Sequence, residues 1–165
     1  MSGILILLGS NLGERVENLS IALDALEEEA ITVRKLSSIY ETAPWGIENQ
    51  PWFLNLVAEV STTLLPKELL DCCQQIENQM GRVRGANRWG ERLIDIDILY
   101  YQDLILKDPT LTIPHKEIPN RRFTLLPLAE GWPLMEHPSL NKTNRALLAM
   151  TQDTAACRKT AIRIR

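Results

Sequence analysis

The segment Arg92-Leu-Ile-Asp-Ile-Asp-Ile-Leu-Tyr-Tyr101 alternates polar and apolar residues as a β-strand does. Because side chains on a strand point alternately to its two faces, Asp95 and Asp97 should share one face while the intervening isoleucines fill the other. The pattern predicts a strand that covers a hydrophobic core and presents two neighbouring carboxylates.

The residues before this strand predict an ordered series of elements. A buried strand is expected at Ile4–Leu8, followed by a helix with the apolar stripe Val16, Leu19, Leu23 and Leu26. Two strands are expected next, at Thr32–Tyr40 and at Phe53–Thr63, the second with Leu54, Leu56, Ala58 and Val60 on one face. A second helix should start at Pro66 and end at Gly81, with the apolar stripe Leu69, Cys73, Ile76 and Met80. With the strand at Arg92–Tyr101 the order is β-α-β-β-α-β, which is typical of ferredoxin-like α+β sandwiches.

The remaining residues predict extra C-terminal elements. Short helices are expected at Asn120–Glu130 and Asn141–Met150. The tail after about residue 151 is polar and basic, and it should be peripheral, either as an added edge strand or as disordered chain. We expect residues 1–165 to form a single domain.

Composition narrows the class of protein. The chain has 165 residues, 45% hydrophobic, with a net charge of −3, which suits a globular domain and argues against a surface that coats nucleic acid. Its apolar runs are shorter than the roughly 18 residues that span a bilayer. Three cysteines without paired spacing, and an amino terminus without signal-peptide features, indicate a protein of the reducing cytoplasm.

Cations are concentrated just upstream of the two aspartates. Residues 81–92 hold Arg82, Arg84, Arg88 and Arg92 against Glu91 alone, which gives a local charge of +3. Glycines in the same stretch predict a mobile loop that can fold over a ligand, and the guanidinium fork suits phosphate oxygens. A solvated basic loop is the simpler alternative, but the neighbouring carboxylate pair favours the functional interpretation.

Two ionised carboxylates held this close repel each other unless a cation lies between them. Mg²⁺ accepts one or two carboxylates and completes its shell with phosphates and water. A purely structural doublet on an edge strand is less favoured, because aspartate is a poor strand former. Gly9–Gly13 follows a strand but lacks the Lys-Ser/Thr ending of a phosphate-binding loop. The residues alone therefore predict a Mg²⁺-dependent enzyme that acts on a phosphoanhydride, with the acceptor undefined.

The segment from Arg88 to Asp97 resembles the signature of the 6-hydroxymethyl-7,8-dihydropterin pyrophosphokinase family of folate biosynthesis. Supporting motifs in the same order are Gly9-Ser10-Asn11, Gln50-Pro51 with Phe53 and Asn55, Gly81-Arg82-Val83-Arg84, Ile113-Pro114-His115, and Asn120-Arg121 with Phe123. The resemblance covers almost the whole chain. It implies transfer of the β,γ-diphosphate of ATP to the pterin hydroxymethyl oxygen, release of AMP, and two Mg²⁺ ions.

The resemblance also implies roles for particular residues. Asp95 and Asp97 would hold both metal ions, and Arg82 and Arg92 would stabilise charge on the transferred group. ATP would be bound by Glu77, Arg84, Arg88, Trp89, Ile98, Thr112, His115 and Arg121. The pterin ring would lie between Phe53 and Phe123, with Asn55 and backbone groups near Thr42 and Trp45 reading its edge.

Some residues depart from the family pattern. Glu91 stands where proline is usual, Lys116 replaces an aromatic residue, Thr110 replaces a basic residue, and Trp45 replaces a smaller apolar residue. These differences bear on substrate affinities rather than on the class of reaction.

Two other functions remain open from sequence. One is a ferredoxin-like nucleic-acid-binding module, since that architecture often presents aromatic and arginine side chains to RNA. The other is a Mg²⁺-dependent phosphohydrolase that uses the same carboxylates. For the leading hypothesis we expect only ATP and a pterin as partners, no nucleic acid or membrane, and a monomeric protein.

Overall fold

A computed structural model describes residues 3–44, 49–81 and 93–164 of the chain. The strands within these ranges are β1 (Ile4–Ser10), β2 (Thr32–Leu36), β3 (Tyr40–Thr42), β4 (Phe53–Ser61), β5 (Asp95–Tyr101), β6 (Leu106–Lys107), β7 (Thr112–Ile113), β8 (Glu136–His137), β9 (Lys142–Thr143) and β10 (Cys157–Lys159). The helices are α1 (Arg15–Glu28), α2 (Pro66–Gln79), α3 (Arg122–Gly131) and α4 (Asn144–Met150), with a 3₁₀ turn at Ile118–Asn120.

The main sheet has the strand order β10-β3-β4-β1-β5, and β2 also pairs with β4. Each of these pairings is antiparallel. If β2 and β3 are taken together as the second strand, the central order is that of a ferredoxin-like sheet, with β1 and β4 in the middle. The predicted fold class is confirmed.

Helices cover both faces of the sheet. On one face α1 and α2 bury Leu19, Leu23 and Ile76 against β1 and β4. On the other face α3 and α4 bury Leu125 and Leu147 in a second cluster. Every residue of β1 is buried, which explains why its sequence is continuously apolar rather than alternating.

The predicted strand Thr32–Tyr40 is two strands, and Ser37 is the reason. The backbone N–H of Ser37 donates to the Val57 carbonyl at 2.9 Å, while its hydroxyl accepts from the Val57 N–H at 2.9 Å. A side chain therefore takes the place of a backbone acceptor, and pairing with β4 resumes at Tyr40.

Three other boundaries can be compared with the prediction, and one of them differs. The last helix starts at Asn144 because the Thr143 hydroxyl caps it, accepting from the Ala146 N–H at 3.2 Å. The tail contributes β10, which pairs with β3, so the edge-strand alternative for the tail is the one observed. α2 ends as predicted, because Gly81 adopts a φ of 95° just after the helix.

Within the described ranges, no helix is long and apolar enough to cross a membrane.

Candidate active site

A cavity of about 460 Å³ opens where four strands of the sheet meet at one end. Its walls include Gly9 at the end of β1, Thr42 at the end of β3, Phe53 at the start of β4 and Asp95 at the start of β5. These residues are brought together because the strands are antiparallel: Gly9 is in register with both Asn55 and Asp95. Helices α2 and α3 and residues 109–117 close the remaining sides.

The two aspartates of β5 face this cavity. Asp95 and Asp97 are half-buried and line it, while Ile96 and Ile98 are buried; Ile96 and Ile98 also belong to the core cluster. The predicted alternation is confirmed. Both carboxylates therefore lie along one wall of a single space.

Glu77 supports this strand from α2. Its side chain is 3% exposed, and its Oε1 accepts a hydrogen bond from the Ile96 N–H at 2.8 Å. Among the strands of residues 3–44, 49–81 and 93–164, β5 lies at the edge of the sheet, so its outward amides need another acceptor, since a buried amide without a partner is costly. The contact fixes the backbone between the two aspartates.

Another part of the cavity lining combines aromatic and amide groups. Phe53 comes from β4 and Phe123 from α3, and both are half-buried. Asn55 and Thr42 are 4% and 2% exposed, and Asn55 Nδ2 donates to Thr42 Oγ1 at 2.7 Å. A Cβ added to Gly9 would overlap Asn55 Oδ1, so the glycine leaves room for this amide.

His115 lies on the wall formed by residues 109–117. Burial, reinforced by the positive charge of Arg121, lowers the pKa of His115 from 6.5 to about 4. Its Nδ1 accepts from the Glu117 N–H at 3.2 Å, so a neutral ring carries its proton on Nε2. The imidazole is thus a neutral donor near pH 7 rather than a cation.

Cationic groups also line the cavity. Lys116 and Arg121 contribute to the same wall as His115. The Arg121 guanidinium carbon lies 5.7 Å from the Phe123 ring centroid, within cation–π range. The cavity therefore combines carboxylates, cations and aromatic rings, and Arg121 links the cationic and aromatic groups.

The structure brings one group of predicted site residues together. Lining the cavity are Thr42, Phe53, Asn55, Glu77, Asp95, Asp97, Ile98, Thr112, His115, Arg121 and Phe123. Trp45, Arg82, Arg84, Arg88, Trp89 and Arg92 lie outside the described residues. The individual roles of all these residues remain predictions.

Other residues of the lining were not predicted as site residues. Among them are Leu7, Gln74 and Glu117. Gln74 precedes Glu77 by one helical turn, so the spacing on α2 was a usable signal. Leu7 gave no signal, because it belongs to the uniformly apolar β1.

The donor set suits a hard cation that shares its ligands with a substrate. Among the described residues, no group of three or more His, Cys, Asp or Glu side chains could hold a metal ion. Two carboxylates alone match Mg²⁺, which is commonly bound by one or two carboxylates together with substrate phosphates. The residues present therefore fit the predicted metal.

Paired carboxylates and cations in one cavity are the groups that phosphoryl-group transfer requires. Residues 5–133 match the 7,8-dihydro-6-hydroxymethylpterin-pyrophosphokinase (HPPK) family. The chain belongs to this family.

Curated relatives agree with the match. The chain is 40% identical to 2-amino-4-hydroxy-6-hydroxymethyldihydropteridine pyrophosphokinase of Aquifex aeolicus over 142 residues, which is 86% of this chain and 88% of that one. It is 48% identical to the enzyme of the same name from Bacillus subtilis over 126 residues, which is 76% of this chain and 75% of the relative.

Solved structures show the same fold. The wild-type HPPK-DHPS of Plasmodium falciparum with pteroate superposes with a TM-score of 0.73 at 19% identity over 90% of this chain. The chain spans 44% of that longer protein.

The predicted activity is confirmed by the family match. The protein is a diphosphokinase that transfers pyrophosphate from ATP to 6-hydroxymethyl-7,8-dihydropterin in folate synthesis. Family membership favours this activity over the RNA-binding and phosphohydrolase alternatives.

Proposed function

We propose that the cavity is the site of this transfer, with the pterin at the phenylalanine end and ATP at the end formed by α2, β5 and residues 109–117. One observation carries the proposal: the paired aspartates, the two phenylalanines and the cationic residues Lys116 and Arg121 all line one cavity. Aromatic rings suit a flat pterin, and carboxylates together with cations suit a metal-bound triphosphate.

The pterin would stack between Phe53 and Phe123, because a flat ring gains most from two aromatic faces. Asn55 would form a hydrogen bond with the polar edge of the ring. Its Nδ2 is engaged by Thr42, which leaves Oδ1 as the acceptor for a ring N–H. Backbone groups near Thr42 and Trp45 would complete this recognition.

The nucleotide would contact Glu77, Ile98 and Thr112. The Nε2–H of His115 would donate to a phosphate oxygen, and Arg121 would add a charged donor. Arg84, Arg88 and Trp89 would bind the nucleotide from the arginine-rich segment.

We further propose that Asp95 and Asp97 hold two Mg²⁺ ions. When bound, the ions would neutralise charge on the phosphates and polarise the attacking hydroxyl. Arg82 and Arg92 would stabilise the negative charge that develops on the transferred diphosphate. Closing the cavity around both substrates would keep water from accepting the diphosphate.

The test replaces Asp97 or Asp95 with alanine and measures AMP release from Mg-ATP and the hydroxymethyl pterin. Each change should lower turnover to below about a tenth of the parent, because it removes a metal ligand. Asp71→Ala is the matched control, since Asp71 is exposed on α2 and does not line the cavity.

Activity above that level in both variants would contradict the assignment of the carboxylates. Formation of ADP or free phosphate in place of AMP would contradict the reaction itself. Our expectations of a single domain, a monomer, a cytoplasmic location and no nucleic-acid or membrane partner stay predictions.

A further inference from the structure

We propose that residues 151–160, here called the C-terminal segment, position the two walls of the pterin end relative to each other. The segment lies beyond the residues 5–133 that match the family. It makes one contact at the start of α3, which carries Phe123, and another beside β3 and β4, which carry Thr42 and Phe53. The inference rests on the proposed position of the pterin between these walls.

The contact with α3 is a helix cap supplied from a distant part of the sequence. Asp153 Oδ2 accepts the Arg122 N–H at 2.8 Å. Asp153 Oδ1 accepts the Ala155 N–H at 2.9 Å, which holds the carboxylate in a local turn. The residue just before α3, Arg121, makes no capping hydrogen bond with its own side chain. A carboxylate at this position also complements the helix dipole.

The second contact adds a strand to the sheet. β10 pairs with β3 so that Cys157 is opposite Thr42 and Arg158 is opposite Glu41. Flanking hydrogen bonds extend the pairing: the Ala43 N–H donates to the Ala156 carbonyl at 2.9 Å. The segment therefore holds the strand end at which Thr42 faces the cavity.

Side chains extend this contact to Trp52, which directly precedes Phe53. Arg158 donates to Glu41, and its guanidinium carbon lies 5.4 Å from the Trp52 ring centroid. Arg15 also donates to Glu41, at 3.2 Å, and to the Trp52 carbonyl at 2.8 Å. Two arginines from different elements thus share one carboxylate around Trp52.

The consequence is that one short segment joins the wall of Phe53 to the wall of Phe123. Stacking on a flat ring depends on the spacing of the two aromatic faces, so loosening either contact should weaken pterin binding. The nucleotide end should be affected less, because β5 lies at the opposite edge of the sheet from β10 and only Arg121 of the proposed nucleotide contacts adjoins the capped residue.

The test measures the pterin KM, kcat, and the Kd of a non-cleavable Mg-ATP analogue in the full-length chain. Asp153→Ala should raise the pterin KM about fivefold, the size of effect expected when a helix cap of about 1 kcal/mol is lost. The analogue Kd should change clearly less than the pterin KM. Asp153→Asn keeps an acceptor for the Arg122 N–H and should restore the parent KM. Gln152→Ala, at an exposed neighbour, is the control.

Arg158→Ala tests the other contact independently. Its effect on the pterin KM should be smaller, about twofold, because the Arg158 side chain is 71% exposed and exposed ion pairs contribute little. Arg163→Ala removes the same charge from an exposed position of the tail and should leave the KM unchanged.

An unchanged pterin KM in a folded Asp153→Ala protein would overturn the inference, and so would equal losses in pterin and nucleotide affinity. If Asp153→Ala does not fold, an unchanged pterin KM in Arg158→Ala overturns it instead. These results differ from a failure of the proposed site, in which the Asp95 and Asp97 variants would keep their activity.

Discussion

Lowering the pH should destabilise the metal-free protein through His115. Burial lowers the pKa of this imidazole from 6.5 to about 4, so between these values the unfolded chain binds a proton that the folded chain does not. Stability therefore falls as the pH falls through this window and levels off below about pH 4. Proton linkage gives a loss of unfolding free energy, relative to neutral pH, of about 2 kcal/mol at pH 5 and about 3 kcal/mol at pH 4. These are upper values, because the ring is partly exposed to solvent.

Urea unfolding in EDTA can measure this effect with His115→Asn as the reference. Asparagine keeps an acceptor for the Glu117 N–H but does not titrate. The other acidic groups titrate in both proteins, so the comparison cancels their contribution. Between about pH 7.5 and pH 5 the parent should lose about 1.5 to 2 kcal/mol more unfolding free energy than the variant.

An NMR titration of the same ring gives a direct check. Protonation of His115 near pH 6.5, or equal losses of stability in parent and variant, would refute the reasoning. His115 would then be partly cationic at neutral pH, and its proposed role as a neutral donor to phosphate would fail with it.

Further predictions concern the support of the site and the chemical step. Glu77→Ala should lower the unfolding free energy by about 1.5 to 3 kcal/mol in urea, because it removes the acceptor of a buried amide, whereas Glu77→Gln should lose much less; equal losses would contradict this. Arg92→Ala should slow single-turnover AMP formation more than it weakens ATP binding, and equal losses would make Arg92 only an anchor. Gly9→Ala should raise the pterin KM by displacing Asn55, while Gly131→Ala, where an added Cβ meets nothing within 4 Å, should not; similar KM values would count against the close approach.

Much of the fold could be predicted because local patterns and burial agree. The continuous apolar run of β1 predicted a strand covered on both faces, and α1, α2 and α3 provide that cover. The break at Ser37 could not be predicted, because it depends on a serine hydroxyl that pairs with Val57 twenty residues away. Short-range periodicity carries no information on such a partner.

The candidate site could be predicted where residues of a distinctive chemical type also follow the periodicity of a strand. Asp95 and Asp97 stood out because strand alternation requires them to share a face. The role of Glu77 as a partner of the Ile96 amide was not accessible, because it depends on where α2 packs against an edge strand. The cap by Asp153 could not be predicted for the same reason, since its carboxylate accepts a hydrogen bond from the Arg122 N–H, 31 residues away in sequence.

The two ends of the cavity are supported from opposite edges of the sheet. At one edge, Glu77 holds β5 and thereby the paired aspartates. At the other edge, β10 holds β3, and Asp153 holds the start of α3. Since the fully buried strand β1 and the mostly buried strand β4 lie between these edges, a loss of support at one edge need not reach the other. If the proposed site is right, the arrangement allows nucleotide and pterin affinities to change independently.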